Sequence, residues 1–138
     1  MSQVVADRIA IQDVMLRYAA GVDDRDMDLY RSCFAGDVEV VGFADANIQG
    51  ADAWAKHVVT ALERFGPTQH MLSPVYAEVD GDEAKARTDV QAMHYLKEPE
   101  GHTLTLWATY HSNMRRIDGE WKIVRHELVS RGTKIGAS

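Results

Sequence analysis

The chain has 138 residues, 46% hydrophobic and 26% charged, with a formal net charge of -6. That gives room for one domain, 1–138, with its own core, and the acidic balance argues against nucleic-acid binding, which calls for a basic patch. No run reaches the ~18 apolar residues of a membrane span, the N-terminus lacks a signal pattern, and the single cysteine, Cys33, excludes an internal disulfide, all of which fit a soluble, cytoplasmic protein.

Ser2 can cap a first helix over roughly Val4 to Gly21, with Val4, Val5, Ile9, Ile11, Val14 and Met15 on its apolar side. Gly21 suits a helix exit, and Asp23, Asp24 or Asp26 can cap a second helix from Met27 to Phe34, whose buried stripe is Leu29, Tyr30, Cys33 and Phe34. Gly36-Asp37 ends that helix. Val38 to Phe43 reads as a strand, Asp45 to Gly50 as a turn, and Ala51 to Phe65 as a third helix stopped by Gly66-Pro67.

From Thr68 the period changes from helix to strand. Thr68–Val79, Glu83–Leu96, His102–Arg116 and Glu120–Ser130 alternate, separated by Asp80-Gly81-Asp82, Pro99-Glu100-Gly101 and Asp118-Gly119, and predict an antiparallel meander. Ala84, Ala86, Val90, Ala92, His94 and Leu96 share one face of the second strand, and Leu104, Leu106, Ala108, Tyr110 and Met114 one face of the third. Long strands with one apolar face curl over something, and the three N-terminal helices are available as that cover. The fold class is α+β, helices first and a curved, mostly antiparallel sheet after.

His70 begins the first long strand, while His94 and His126 lie on apolar strand faces. His57, His102 and His111 are less committed. Imidazole, with an ordinary pKa of roughly 6.5, is a natural general base at neutral pH, although a lone histidine on an apolar face also serves as a hydrogen-bonded core residue. The three aspartates after the first helix read equally as caps and solvated turn residues. There is no His-x-x-x-His or Cys-x-x-Cys spacing, no glycine-rich phosphate loop and no serine elbow, so neither a metal nor a nucleotide cofactor is expected.

The run from Ile11-Gln12-Asp13 through Tyr18 to Gly21-Val22-Asp23, the Thr68-Gln69-His70 strand start and the closing Asp118-Gly119-Glu120-Trp121-Lys122-Ile123 resemble the SnoaL-like branch of the NTF2-like superfamily over about residues 5–130. The likeness is to the subgroup of scytalone dehydratase, the bile-acid 7α-dehydratases and hexachlorocyclohexane dehydrochlorinase. It implies a cone-shaped α+β barrel with a deep apolar pocket and no cofactor. It also implies a dyad of an aspartate after the first helix and a histidine after the third, here Asp23 and His70. Tyr18 matches a tyrosine of some of the dehydratases and His94 the second histidine of the scytalone dehydratase type. Several relatives carry an arginine in the last strand where this chain has His126, with Arg125 facing the other way.

The reading that follows is a cofactor-independent lyase, a dehydratase first of all, acting on a small, largely apolar cyclic substrate. Asp23 and His70 supply the base, Tyr18 and His94 the electrophilic half, and His126, Tyr110, Phe43 and Leu106 line the substrate site. An isomerase or cyclase using the same dyad, or a non-catalytic ligand-binding or assembly module of the same fold, are the alternatives. Trp107, Thr103, Thr105 and Thr109 form an uncharged outer strand face and predict a homo-oligomer, dimer or trimer.

Overall fold

A computed structural model describes residues 2–43, 45 and 47–137. In chain order the elements are α1 (Gln3–Asp23), α2 (Met27–Arg31), β1 (Phe34–Val41), β2 (Ile48–Gln49), α3 (Ala51–Leu62), β3 (Phe65–Leu72), β4 (Tyr76–Asp80), β5 (Glu83–Leu96), β6 (His102–Ile117) and β7 (Glu120–Ala137). No described helix is long and apolar enough to cross a membrane.

Ser2 caps α1 by accepting from Val5 N. The helix runs two residues past Gly21, which is therefore not its exit. Glycine stands there because α2 crosses at that point: a Cβ on residue 21 would lie 2.8 Å from Tyr30 N and 2.9 Å from Tyr30 Cα. The extra turn makes Asp23 the last helical residue and leaves Asp24 as the C-cap, while Asp26 caps α2 by accepting from Leu29 N. The buried stripe of α1 is Asp7, Ile11, Val14, Met15, Tyr18, Ala19 and Val22. Val4, Val5 and Ile9, expected in the core, are exposed, because only one stripe of three- and four-residue steps can face the sheet.

The charged member of that stripe, Asp7, accepts from Arg116 (Nη1 2.7 Å, Nη2 3.3 Å), Gln3 (2.9 Å) and Trp121 Nε1 (3.4 Å). The Arg116 hydrogen bonds hold its carboxyl below the usual range. A buried charge is tolerable only when paired in this way, and here the pairing ties the start of α1 to the hairpin between β6 and β7.

Several boundaries shift for backbone reasons. α2 stops at Arg31, and Phe34 already belongs to β1, so Gly36-Asp37 lies inside a strand rather than ending a helix. The expected turn at 45–50 falls partly outside the described residues, and Ile48–Gln49 pairs with β1 as β2. α3 ends at Leu62. Gly66-Pro67 sits in β3 between Phe65, which pairs with Leu96, and Thr68, which pairs with His94, and the register slips by one residue across it. Pro67 has no N–H to give to a ladder, so a bulge suits it. Pro74 likewise divides the expected strand Thr68–Val79 into β3 and β4, both antiparallel to β5.

The hairpins fall where expected. Asp118 and Gly119 both adopt positive φ (51° and 83°), as a two-residue turn joining right-twisted strands requires. The sheet order is β2-β1-β7-β6-β5-β3, with β4 also on β5, and β1 runs parallel to β7. The sheet is thus mixed, open and curved. Its concave face meets α1, α2 and α3 around Ile11, Val14, Met15, Val38, Val40, Met114 and Ile123.

Candidate active site

The long α1 and the bulged start of β3 bring two groups together that are 47 residues apart. Asp23 Oδ1 lies 2.7 Å from His70 Nδ1, and Asp23 Oδ2 accepts from the His70 backbone N–H at 2.8 Å. Thr68, two residues earlier on the same face of β3, donates its hydroxyl to Asp23 Oδ1 at 3.0 Å. Burial alone would push the Asp23 carboxyl up, but the donors from His70 and Thr68 outweigh it and hold the carboxyl below its ordinary value. A carboxylate can only accept, so His70 Nδ1 carries a proton, and it is Nε2 that keeps the lone pair whenever the ring is neutral. Asp23 is therefore neither a cap nor a solvated turn residue.

His94 comes from the neighbouring strand, where the register sets it opposite Thr68, and its ring stands edge-on to that of His70 with centroids 5.7 Å apart. Its Nδ1 lies 3.1 Å from the Leu104 carbonyl oxygen and must donate to it. Burial pushes this imidazole below its ordinary pKa, against the pull of that hydrogen bond. As a neutral ring His94 offers an acceptor at Nε2, and it donates there only after taking up a proton. Leu106, half-buried on the same face of β6, pairs with Ala92, which pairs in turn with His70.

A second cluster lies deeper. Tyr18 OH is 2.9 Å from His126 Nε2, and Ser112 Oγ is 2.9 Å from His126 Nδ1. His126 has no exposed surface, and burial drives its pKa down to about 3, so it is neutral and satisfied on both ring nitrogens. Tyr18 and Tyr110 are buried too, and burial raises both phenols well above their ordinary value. Tyr110 and Phe43 pack on His126 with centroids 4.9 and 5.2 Å away, and Phe43 also meets Trp54 at 4.8 Å. Phe43 reaches this position from Gly42, whose φ of +89° and close approach to the Leu128 carbonyl leave no room for a side chain.

The eight candidates thus form two groups: Asp23, His70, His94 and Leu106 toward the start of β3, and Tyr18, His126, Tyr110 and Phe43 in the aromatic interior. Tyr18 and Asp23 share α1, and the Asp23 charge also raises the Tyr110 phenol. Three participants escaped the sequence. Thr68 was legible from its two-residue offset to His70, and Ser112 from being the polar member of the inner face of β6. Tyr30, which accepts from Trp54 Nε1 at 2.9 Å, gave no signal beyond its burial. A surface cleft of about 350 Å³ lined by Glu78, Asp80, Lys85 and Arg115 lies apart from these groups, and a second of about 220 Å³ borders the first group through Phe65, which packs on His94, and Arg25, which donates to Thr68. Neither is lined by Asp23 or His70. Among the described residues, no three His, Cys, Asp or Glu side chains stand where they could hold a metal ion.

The SnoaL-like domain family matches residues 3–127. The chain belongs to the SnoaL-like family. Solved structures agree, and their NTF2-like architecture is the cone-like α+β fold described above. A protein from Novosphingobium aromaticivorans, named as a candidate scytalone dehydratase, is 26% identical over 94% of this chain and 87% of its own, with a TM-score of 0.86. A type 3 hexachlorocyclohexane dehydrochlorinase from Novosphingobium barchaimii is 25% identical over 97% of this chain and 92% of its own, with a TM-score of 0.85. A Kribbella flavida protein at 17% identity, covering 96% of this chain and 95% of its own, shares the fold with a TM-score of 0.88. No curated protein matches the chain.

Proposed function

We propose that this SnoaL-like protein is a lyase that removes a proton from carbon with the Asp23–His70 dyad and expels a leaving group from a small, largely apolar ring. The family and its dehydratase and dehydrochlorinase neighbours support a cofactor-independent lyase or isomerase-type activity. The observation that carries the finer reading is the 2.7 Å bond between Asp23 Oδ1 and His70 Nδ1, on a carboxylate locked by two further donors. It fixes the tautomer that presents Nε2 as a base, and it stabilises the imidazolium formed when that base takes a proton.

The elimination balances without an outside reagent. His70 Nε2 takes the carbon-bound proton, the C–H electron pair becomes the new double bond, and the leaving group departs with its own bonding pair. A halide leaves as the anion. A hydroxyl must be protonated as it leaves, and the proton just taken up by His70 is the one at hand, with His94 beside it to accept a hydrogen bond from the substrate. Tyr18 is the candidate donor to a substrate oxygen, and His126, held neutral, orients its hydroxyl.

The test is a panel of hydroxylated and halogenated cyclic compounds, followed for new unsaturation, halide release and deuterium uptake from D2O. Turnover by the wild type should fall by at least ~10²–10⁴-fold in His70→Ala, the usual worth of a positioned base, with the circular dichroism unchanged. Asp23→Asn should be nearly as damaging, because the amide can hold the wrong tautomer, and the double variant little worse than either single one. Folded, fully active His70→Ala protein, or a panel that yields neither elimination nor exchange, overturns the reading.

A further inference from the structure

The chain directly after Asp23 turns through a residue whose backbone is unfavourable for its type. Arg25 adopts a φ of +56°, in the left-handed region where a non-glycine residue rarely settles without a reason. The conformation folds its side chain back across the end of α1. Nη1 donates to the Val22 carbonyl at 2.7 Å and to Thr68 Oγ1 at 2.9 Å, and Nη2 donates to the Gly66 carbonyl at 2.7 Å. One guanidinium thus joins the carbonyl end of the helix that carries Asp23 to the bulged start of the strand that carries His70. A cation at a helix C-terminus is favourable in its own right, but the Thr68 bond does something more specific.

A threonine hydroxyl has one proton. Because Arg25 can only donate, Thr68 Oγ1 must accept from it, and the hydroxyl proton is left to go to Asp23 Oδ1, 3.0 Å away. We propose that Arg25 is a positioning residue for the dyad, acting through Thr68: it fixes the hydroxyl rotor so that Asp23 is held in the plane that meets His70 Nδ1. The relay runs Arg25, Thr68, Asp23, His70, each member donating or accepting in only one sense. It rests on the dyad reading above, but its geometry and its test stand apart from turnover. Arg25 touches no reacting atom, and a planar fork that satisfies three acceptors at once is something lysine cannot reproduce.

The experiment reads the dyad by NMR on ¹⁵N-histidine-labelled protein, with no substrate added. In the wild type the His70 Nδ1 proton should be a single, slowly exchanging resonance, with nitrogen shifts of one tautomer. Thr68→Val keeps the Arg25 bonds to Val22 and Gly66, and so the helix–strand brace, and removes only the relay. It should speed exchange of that proton by at least about tenfold, the scale set by the loss of one hydrogen bond to a charged group. Arg25→Gln should do the same, and the double variant should add little, because the two residues act in series. Circular dichroism and thermal melting check that each variant is folded. A Thr68→Val protein with wild-type exchange overturns the proposal, as does an Arg25→Gln effect that persists undiminished in the Thr68→Val background, since both mean that Arg25 only holds the helix to the strand. Because the readout is His70 itself, failure here leaves the turnover test of the dyad intact, and an inactive dyad leaves this relay measurable.

Discussion

His126 is buried without a charged partner, and that environment links stability to pH. Burial lowers its pKa from an ordinary 6.5 to about 3, so below pH 6.5 the unfolded chain takes up a proton that the folded protein refuses. The sign follows from that difference: stability is full above pH 6.5 and is lost as pH falls toward 3. Between pH 7 and pH 4 this one ring should cost about 3 kcal/mol, read as a fall in the urea midpoint. His94, lowered in the same direction, adds to the slope, while Asp23, held below its ordinary value, begins to contribute only below pH 4. His126→Gln keeps a polar partner for Tyr18 and Ser112 and should flatten the slope; an unchanged slope would place the acid sensitivity elsewhere. At this scale the sequence showed His94 and His126 on inward faces, because alternation reports the face, and His70 only at the start of a strand. It could not show which was a base and which a core group, because that depends on whether the second ring nitrogen meets a carboxylate, a carbonyl or a hydroxyl. Arg25 was invisible for a related reason: its role comes from a left-handed backbone angle that arginine does not advertise.

Among the elements, α1 shows most plainly what a sequence pattern omits. Its existence and its cap at Ser2 were legible, yet Gly21 read as an end when it is a crossing point. Ordinary propensity says that Gly21→Ala should stabilise a helix interior by about 1 kcal/mol. The structure reverses the sign, since the new methyl would stand 2.8–3.0 Å from Tyr30 backbone and Cβ atoms and push α2 away. Overpacking of this kind should cost about 1–3 kcal/mol in chemical denaturation, and a more stable Gly21→Ala protein would show that α2 yields freely. Because α2 carries Tyr30, which contacts the Tyr18 ring at 4.8 Å, the same variant should also disturb the aromatic interior. The hairpins among β4 to β7 were legible because each is closed by a local turn. The parallel pairing of β1 with β7 joins segments more than eighty residues apart, and nothing local marks it. Gly66-Pro67 read as the end of a helix and Pro74 went unread inside one expected strand, while the neighbouring β5 is long enough to pair on both sides of each proline.

For the whole molecule, the convex face of the sheet is the surface left without a helical cover. The expectation of an uncharged outer surface holds for only half of it. Toward the start of β3, the facing positions Gln69, Met71, Gln91, Met93, Tyr95, Thr103, Thr105 and Trp107 of β3, β5 and β6 carry no charge, Met71, Tyr95 and Trp107 are exposed, and a charge enters from β7 at Lys134, opposite Thr105. Toward the other end, Arg125 pairs with Glu39 at 3.0 Å and Arg87 with Asp89 at 3.6 Å, a pattern suited to water. Thr109, expected on the bare outer face, is buried where it donates to Asp89 and accepts from Arg131. The homo-oligomer is therefore proposed through the half toward the start of β3 alone, with Trp107 at its border, opposite Gln91 and one pair short of Asp89 on that face. Eight side chains are fewer than the ~20–30 residues that a stable interface usually takes from each partner, so the exposed aromatics Tyr95 and Trp107 must carry a large share of the energy. Sedimentation at micromolar concentration should give a mass above that of one 15.4 kDa chain. Trp107→Glu should raise the dissociation constant by at least ~30-fold, the equivalent of a hot spot of about 2 kcal/mol, while Lys85→Glu on the charged half should leave it unchanged. A wild-type protein that sediments as a single chain, or an assembly indifferent to Trp107→Glu but broken by Lys85→Glu, would move the interface off this half of the sheet.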